Sequence, residues 1–308
     1  MFKKARVVFL LVALAMVGAL VAACGTSSTT TTSTTPTAGG TGPSCQSGSI
    51  TFDGSTALYP LANALAKTYQ DKCTGSTITP KQSGSGAGLT AVAGGTVQIG
   101  NSDIFADPAK YAGLVDHQVA VVVFSVVLNG KVTGVTNLTT QQLIDIYGGK
   151  ITNWKDVGGP DLGIVTVSRT AGSGTRVTFD TYALNGGTEA TGSNNVTANQ
   201  SSDLSKAVTN TDGAIGYVTT FYAKTNKLTT IKIDGVADDD ASVKNNTYKF
   251  WNIEHMYTKG DATGLAKAFI DYVSSDSADV QKARTDTGFL AVTYPDASAI
   301  AAKQPPKK

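Results

Sequence analysis

ITFDGSTALYPLANALAKTY, residues 50–69, runs from a short strand through a small polar turn into an amphipathic helix. Ile50, Thr51 and Phe52 are strand formers. Asp53-Gly54-Ser55-Thr56 supplies the turn. Leu58, Leu61, Ala62, Leu65, Ala66 and Tyr69 then fall at helical spacing and make one apolar face. The same order comes twice more. A strand near Ile78 leads into Ser83-Gly84-Ser85-Gly86-Ala87-Gly88 and a helix with Leu89, Val92 and Ala93. Ile164-Val165-Thr166-Val167 leads through 168–175 into a helix with Val177, Phe179 and Tyr182. Strands alternating with helices predict an α/β fold with parallel pairings.

Outward from these units, residues 119–128 form an apolar run, interrupted only by Ser125, with many β-branched residues, so they read as a buried strand long enough to pass between two lobes. Gln141–Tyr147 reads as a helix, with Thr139 and Gln142 forming a capping box. Residues 214–218 read as a short strand and Leu265–Val273 as a helix. The polar stretch 189–212 is expected to be a surface excursion, and the tail 301–308 is expected to fray.

The N-terminus carries an address. Lys3, Lys4 and Arg6 precede the 16-residue apolar run 7–22, short of the roughly 20 residues of a membrane span. Residues 1–23 therefore read as a secretory signal peptide. Val21-Ala22-Ala23-Cys24 resembles a lipobox, so Cys24 is the expected lipidation site and the new N-terminus. Two or three acyl chains on it would anchor the chain stably to the membrane. Residues 24–44 are dominated by Thr, Ser, Gly and Ala and should be a flexible tether. Cys45 and Cys73 remain, and outside the cytosol a disulfide between them is expected.

Removing 23 of 308 residues leaves 285, enough for two lobes. It also removes three of the 25 basic residues, leaving 22 against 23 acidic ones. A near-neutral chain gives no support for nucleic-acid binding. Ala171-Gly172-Ser173-Gly174-Thr175-Arg176 lacks the lysine and spacing of a nucleotide P-loop. No Gly-x-Ser-x-Gly elbow occurs. His117 and His255 stand apart and read as packing or surface residues, and no zinc-ligand spacing is present. The sequence therefore points away from an enzyme and calls for no cofactor or metal.

Three Gly/Ser/Thr-rich turns, each after a strand, can present unpaired backbone N–H groups and hydroxyls to an anion. Each alone is ordinary helix capping; three in one chain can converge on one ligand. Arg169 ends a strand just before such a turn, where its planar fork suits a tetrahedral oxyanion. Asp107 is explained by the following Pro108, at a first helical position. Asp103 has no comparable local role.

With these residues in place, the chain resembles the phosphate-binding protein family of the bacterial Pst importer. The likeness rests on Gly54-Ser55-Thr56 with Tyr59-Pro60, Gly84-Ser85-Gly86-Ala87-Gly88 and Gly100-Asn101-Ser102-Asp103. It continues through Leu138-Thr139, Ile146 to Trp154, Arg169 with Ser173-Gly174-Thr175-Arg176, and residues 213–217. The resemblance implies a two-lobed, type II periplasmic-binding-protein fold, each lobe a mixed sheet flanked by helices. One lobe would be 45–125 plus 250–300 and the other 126–249, with the ligand in a hinged cleft between them. It implies phosphate ligands at Thr56, Ala57, Ser85, Asp103, Arg169, Ser173, Gly174 and Thr175. Ala57 replaces an aromatic residue of some members, so only its N–H is available there. It further implies a monomeric lipoprotein on the outer face of the cytoplasmic membrane that delivers inorganic phosphate to ABC permease subunits.

An ionised carboxylate only accepts hydrogen bonds. Asp103 would repel a fully deprotonated anion such as sulfate and accept the hydrogen of protonated phosphate, which is selectivity by repulsion. This argues against sulfate, molybdate or tungstate as ligand. An extracellular phosphatase would need a nucleophile with a base, or metals. An adhesin would not need Arg169, Asp103 and three donor turns together.

Overall fold

A computed structural model describes residues 42–305 apart from 191 and 193. The expected signal segment 1–23, Cys24, the tether up to residue 41 and the last three residues lie outside the described residues.

The strands are β1 (Gly48–Gly54), β2 (Ser76–Pro80), β3 (Ile99–Ser102), β4 (Leu114–Leu128), β5 (Asn137–Leu138) and β6 (Val165–Arg169). They continue as β7 (Asn195–Ala198), β8 (Ala214–Thr219), β9 (Thr229–Ile233), β10 (Trp251–Lys259) and β11 (Phe289–Leu290). Their hydrogen-bonded order is β2-β1-β3-β10-β4-β8-β6-β7, with β9 and β11 also on β4 and β5 on β9. The strands of the repeated units pair in parallel: β1 with β2 and β3, β6 with β7 and β8. β4 pairs antiparallel with β8, β9, β10 and β11, and β10 pairs antiparallel with β3.

β4 divides the sheet. Leu114–Val123 pairs with β10, and Phe124–Leu128 pairs with β8. One lobe is built on β1, β2, β3 and β10, the other on β6, β7 and β8. Residues 119–128, apolar apart from Ser125, are buried throughout, as expected of a strand covered on both faces.

The helices that bear on the site are α1 (Tyr59–Lys72), α2 (Ser85–Ala93), α3 (Thr140–Tyr147), α4 (Gly174–Thr178) and α5 (Ser201–Asn210). α1 buries Leu61, Ala62, Leu65, Ala66 and Tyr69, the face the spacing predicts. α3 starts with the expected capping box of Thr139 and Gln142. A disulfide joins Cys45, just before β1, to Cys73 at the end of α1, with a sequence separation of 28. Closing a loop of that size stabilises the fold by roughly 3–4 kcal/mol on loop-entropy grounds.

Three local expectations are corrected. The stretch 189–212 is no surface excursion: it contains β7 and α5, and it buries Glu189, Ala198, Ser201, Leu204, Ser205 and Val208. The helix after Arg169 is α4 followed by a π-helical turn over Phe179–Ala183, closed by Leu184 N–H donating to the Phe179 carbonyl. Phe179 and Ala183 are buried in the core, while Val177, expected on the apolar face, is exposed. The tail does not fray at 301. Residues 297–301 are helical, and Lys303 is buried over the Trp251 and Tyr182 rings, donating to the Lys249 carbonyl.

Candidate functional site

The C-terminal ends of β1, β3 and β6 converge, which is where open α/β sheets place ligands. At the end of β1, Gly54 sits at φ 132° with no room for a Cβ against the Asn101 carbonyl. Glycine there lets Ser55 N–H donate to that carbonyl at 2.9 Å, tying the β1 turn to β3. Asp103 follows directly.

Arg169 closes β6 and is 1% exposed. Its Nη2 donates to Thr56 Oγ1 at 3.1 Å and to the Asn199 carbonyl at 2.9 Å, and its Nη1 donates to Ser201 Oγ at 3.2 Å. Burial lowers its pKa from the ordinary value, while the Asp103 charge acts in the opposite sense. A guanidinium in a protein stays charged all the same.

Asp103 is also 1% exposed. Its N–H donates to Ser85 Oγ at 3.1 Å, its carbonyl accepts from Asn252 Nδ2 at 2.8 Å, and its Oδ2 accepts from Thr175 Oγ1 at 2.8 Å. Ser85 Oγ thus accepts once and keeps its hydrogen to donate. Arg169 Nε, a donor, and Asp103 Oδ1, an acceptor, are among the buried side-chain atoms that have no hydrogen-bond partner among the described residues. Buried polar groups are seldom left so, because each costs about 1–3 kcal/mol.

The two lobes meet here. Thr56 and Ser201 hydroxyls lie 2.9 Å apart, and Gly86 N–H donates to the Gly172 carbonyl at 2.9 Å. A Cβ on Gly174 would strike Ser85 and Asp103, so only glycine allows that approach. The structure brings Thr56, Ser85, Asp103, Arg169, Gly174 and Thr175 together. Of the other expected ligands, Ala57 N–H donates to Ser55 Oγ, while Ser173 Oγ caps α4 by accepting from Arg176 N–H and, like Ser85, keeps its hydrogen to donate. Beside the cluster, a cavity of about 230 Å³ is bordered by Gly84, Lys110, Tyr111, Arg169, Gly172 and Asn199.

Sequence reasoning missed Ser201, Asn199, Asn252 and a network behind Arg169. Arg169 N–H donates to Tyr217 Oη at 3.0 Å, and Tyr217 Oη donates to Glu189 Oε1 at 2.6 Å. Arg176 Nη1 donates to the Arg169 carbonyl at 2.9 Å, while its Nε lies 3.8 Å from both Glu189 and Asp180. Both backbone groups of Arg169 are thereby fixed. Ser201 had a signal, since Ser201, Leu204, Ser205 and Val208 fall at helical spacing. The Tyr217 network had none.

Asp180 and Glu189 together exceed the one positive charge of Arg176. Burial and Glu189 push Asp180 up to about 7. The folded protein therefore keeps a proton that the unfolded chain releases near its ordinary value of about 4. That contribution to stability is full below about pH 4 and is lost as pH rises through about 7. We expect Asp180→Asn to flatten this part of the thermal midpoint's pH profile. An unchanged slope in the variant would assign it to other groups.

Comparison with known proteins fits this geometry. The profile of the PBP superfamily domain matches residues 28–277. The phosphate-binding protein PstS of Bacillus subtilis is 41% identical over 297 residues, covering 95% of this chain and 96% of the relative. The chain belongs to the PstS family of phosphate-binding proteins. The PstS of Staphylococcus aureus is more distant, at 25% identity over 272 residues, 82% of this chain and 81% of that one. Among solved structures, a phosphate ABC transporter substrate-binding protein from Clostridium perfringens, with bound phosphate, superposes with a TM-score of 0.73 at 31% identity. It covers 79% of this chain and 99% of its own. An ABC-type phosphate transport receptor from Vibrio cholerae gives 0.64 at 26% identity, over 78% of this chain and 99% of its own. PstS-family membership accounts for the two-lobed type II fold.

Proposed function

We propose that this chain captures inorganic phosphate between its lobes, 45–125 with 250–300 and 126–249, and delivers it to the permease of an ABC importer. The observation that carries this reading is the pair of unpartnered atoms in one buried cluster, Arg169 Nε and Asp103 Oδ1. A ligand that satisfies both must accept from a cation and donate to a carboxylate. A phosphate that keeps a proton does so; sulfate at neutral pH has no hydrogen to give. Thr56, Ser85 and Thr175 add hydroxyls from both lobes, and binding to both lobes favours the closed arrangement of a hinged cleft. The names of the relatives point the same way.

Calorimetry on protein lacking residues 1–24 tests this. We expect one phosphate per chain and far weaker sulfate. Equal heats from the two anions at neutral pH would refute the assignment. Release of product from a phosphate ester would point to a phosphatase instead. We further propose that Cys24 carries the lipid that holds the protein outside the membrane. Cys24→Ser should free the chain into the soluble fraction with its binding intact; full retention in the detergent phase would exclude the anchor.

A further inference from the structure

Glu254 lies within β10 and has no exposed surface. No donor among the described residues reaches either of its oxygens. The polar group it meets is the Asp103 carboxyl. Strand register explains the meeting. His255 pairs with Ser102 across antiparallel β10 and β3, so the residue before His255 stands beside the residue after Ser102. Asn252, on the same strand, donates to the Asp103 carbonyl.

Two carboxylates are both acceptors and cannot bond each other; with one proton between them they can. Burial first, and then the Asp103 charge, hold the Glu254 acid well above the usual carboxylate range. The negative charge of the pair belongs on Asp103. Arg169 senses that charge, and Thr175 donates to it. On Glu254 the influences are burial and Asp103. His255, the next residue, is turned to Asp116 on β4, with Nδ1 2.7 Å from Oδ1, and supplies nothing to Glu254.

We propose that Glu254 is a positioning residue for ligand selectivity: as a neutral acid it donates its proton to the Asp103 carboxylate, whose two oxygens offer about four acceptor sites, so that after Thr175 and Glu254 the carboxylate is fixed with a site on Oδ1 left to accept the hydrogen of a protonated oxyanion. The pair then presents one negative charge to the ligand instead of two. This rests on the phosphate reading above and assigns the selectivity of that site to two carboxyls acting together.

Two variants of the soluble chain test it. Glu254→Gln keeps a donor and cannot ionise; Glu254→Leu removes the donor at similar volume. The infrared difference spectrum of parent minus Glu254→Gln, at about pH 8, should show the carbonyl stretch of a protonated carboxylic acid, because ordinary carboxyls are ionised there. Phosphate affinity should fall less than about threefold in Glu254→Gln and about tenfold or more in Glu254→Leu, the effect of losing a bond to a charged acceptor. A difference spectrum without that band overturns the proposal, and so does a folded Glu254→Leu that binds like the parent. If the Leu variant does not fold, the spectrum decides. A parent that binds no phosphate would refute the functional reading instead, which separates the two failures.

Discussion

Arg169→Ala should weaken phosphate binding at least tenfold and weaken sulfate and arsenate in the same proportion. The guanidinium offers donors to oxygens that every tetrahedral oxyanion has, so its loss cannot discriminate among them. A hydrogen bond to a charged group is worth about 1.5–3 kcal/mol, and each 1.4 kcal/mol is about tenfold in affinity. The cost should exceed a single bond. Arg169 holds Thr56 and Ser201, one from each lobe, and the Asn199 carbonyl. Truncation leaves these groups buried without their shared partner and removes the cation that balances the Asp103 charge. Arg169→Lys keeps the charge but cannot reproduce the fork, so it should restore only part of the affinity. Calorimetry with the three anions checks this. Phosphate binding within about twofold of the parent would place the anion elsewhere.

How much of this was legible beforehand varies with the kind of interaction. β1, α1 and α2 follow from local periodicity and turn chemistry, and so do the Thr139 cap and the buried run of β4. Arg169 and Asp103 stood out because nothing near them in sequence explains a charged residue at a strand end. What stayed hidden depends on contacts between distant segments. Ser201 reaches Thr56 across 145 residues, and polar composition around it disguised a helix whose apolar face is only Leu204 and Val208. Tyr217 reads as an ordinary strand aromatic until the fold sets its hydroxyl against Arg169 N–H. Ala57 and Ser173 follow from the family resemblance, which carries over positions and not local partners: Ala57 N–H goes to Ser55 Oγ, while Ser173 Oγ caps α4 with its hydrogen left to donate. Nothing in the sequence around Glu254 marks it for the site. Only the register of β10 on β3 shows that it shares a buried site with Asp103.

Asp103→Asn should cost selectivity more than it costs phosphate affinity. Thr175 Oγ1 donates to Asp103 Oδ2, so in the variant the amide oxygen takes that place and the amide nitrogen replaces Oδ1. Where the parent presents an acceptor, the variant presents a donor. Phosphate can turn another oxygen toward that donor and keep most of its contacts, so its affinity should fall by less than about tenfold, the worth of one such bond. Sulfate gains twice: the repelling charge is gone, and a new donor faces it. Its affinity should rise about tenfold or more, bringing the two anions close together. The Glu254 pairing sharpens this expectation. With Asp103 neutral, the Glu254 proton loses its charged acceptor and one of the two influences that hold it in place. Some negative charge can then return to the site through Glu254 as pH rises, so the sulfate gain should shrink in alkali. Asp103→Asn combined with Glu254→Gln has no carboxyl left in the pair, and its sulfate affinity should stay high across the same pH range. If Asp103→Asn excludes sulfate as strongly as the parent, the hydrogen of the ligand is not what the site reads. Selectivity would then have to reside in the close approach of Gly174 to Ser85 and in the size of the space they leave.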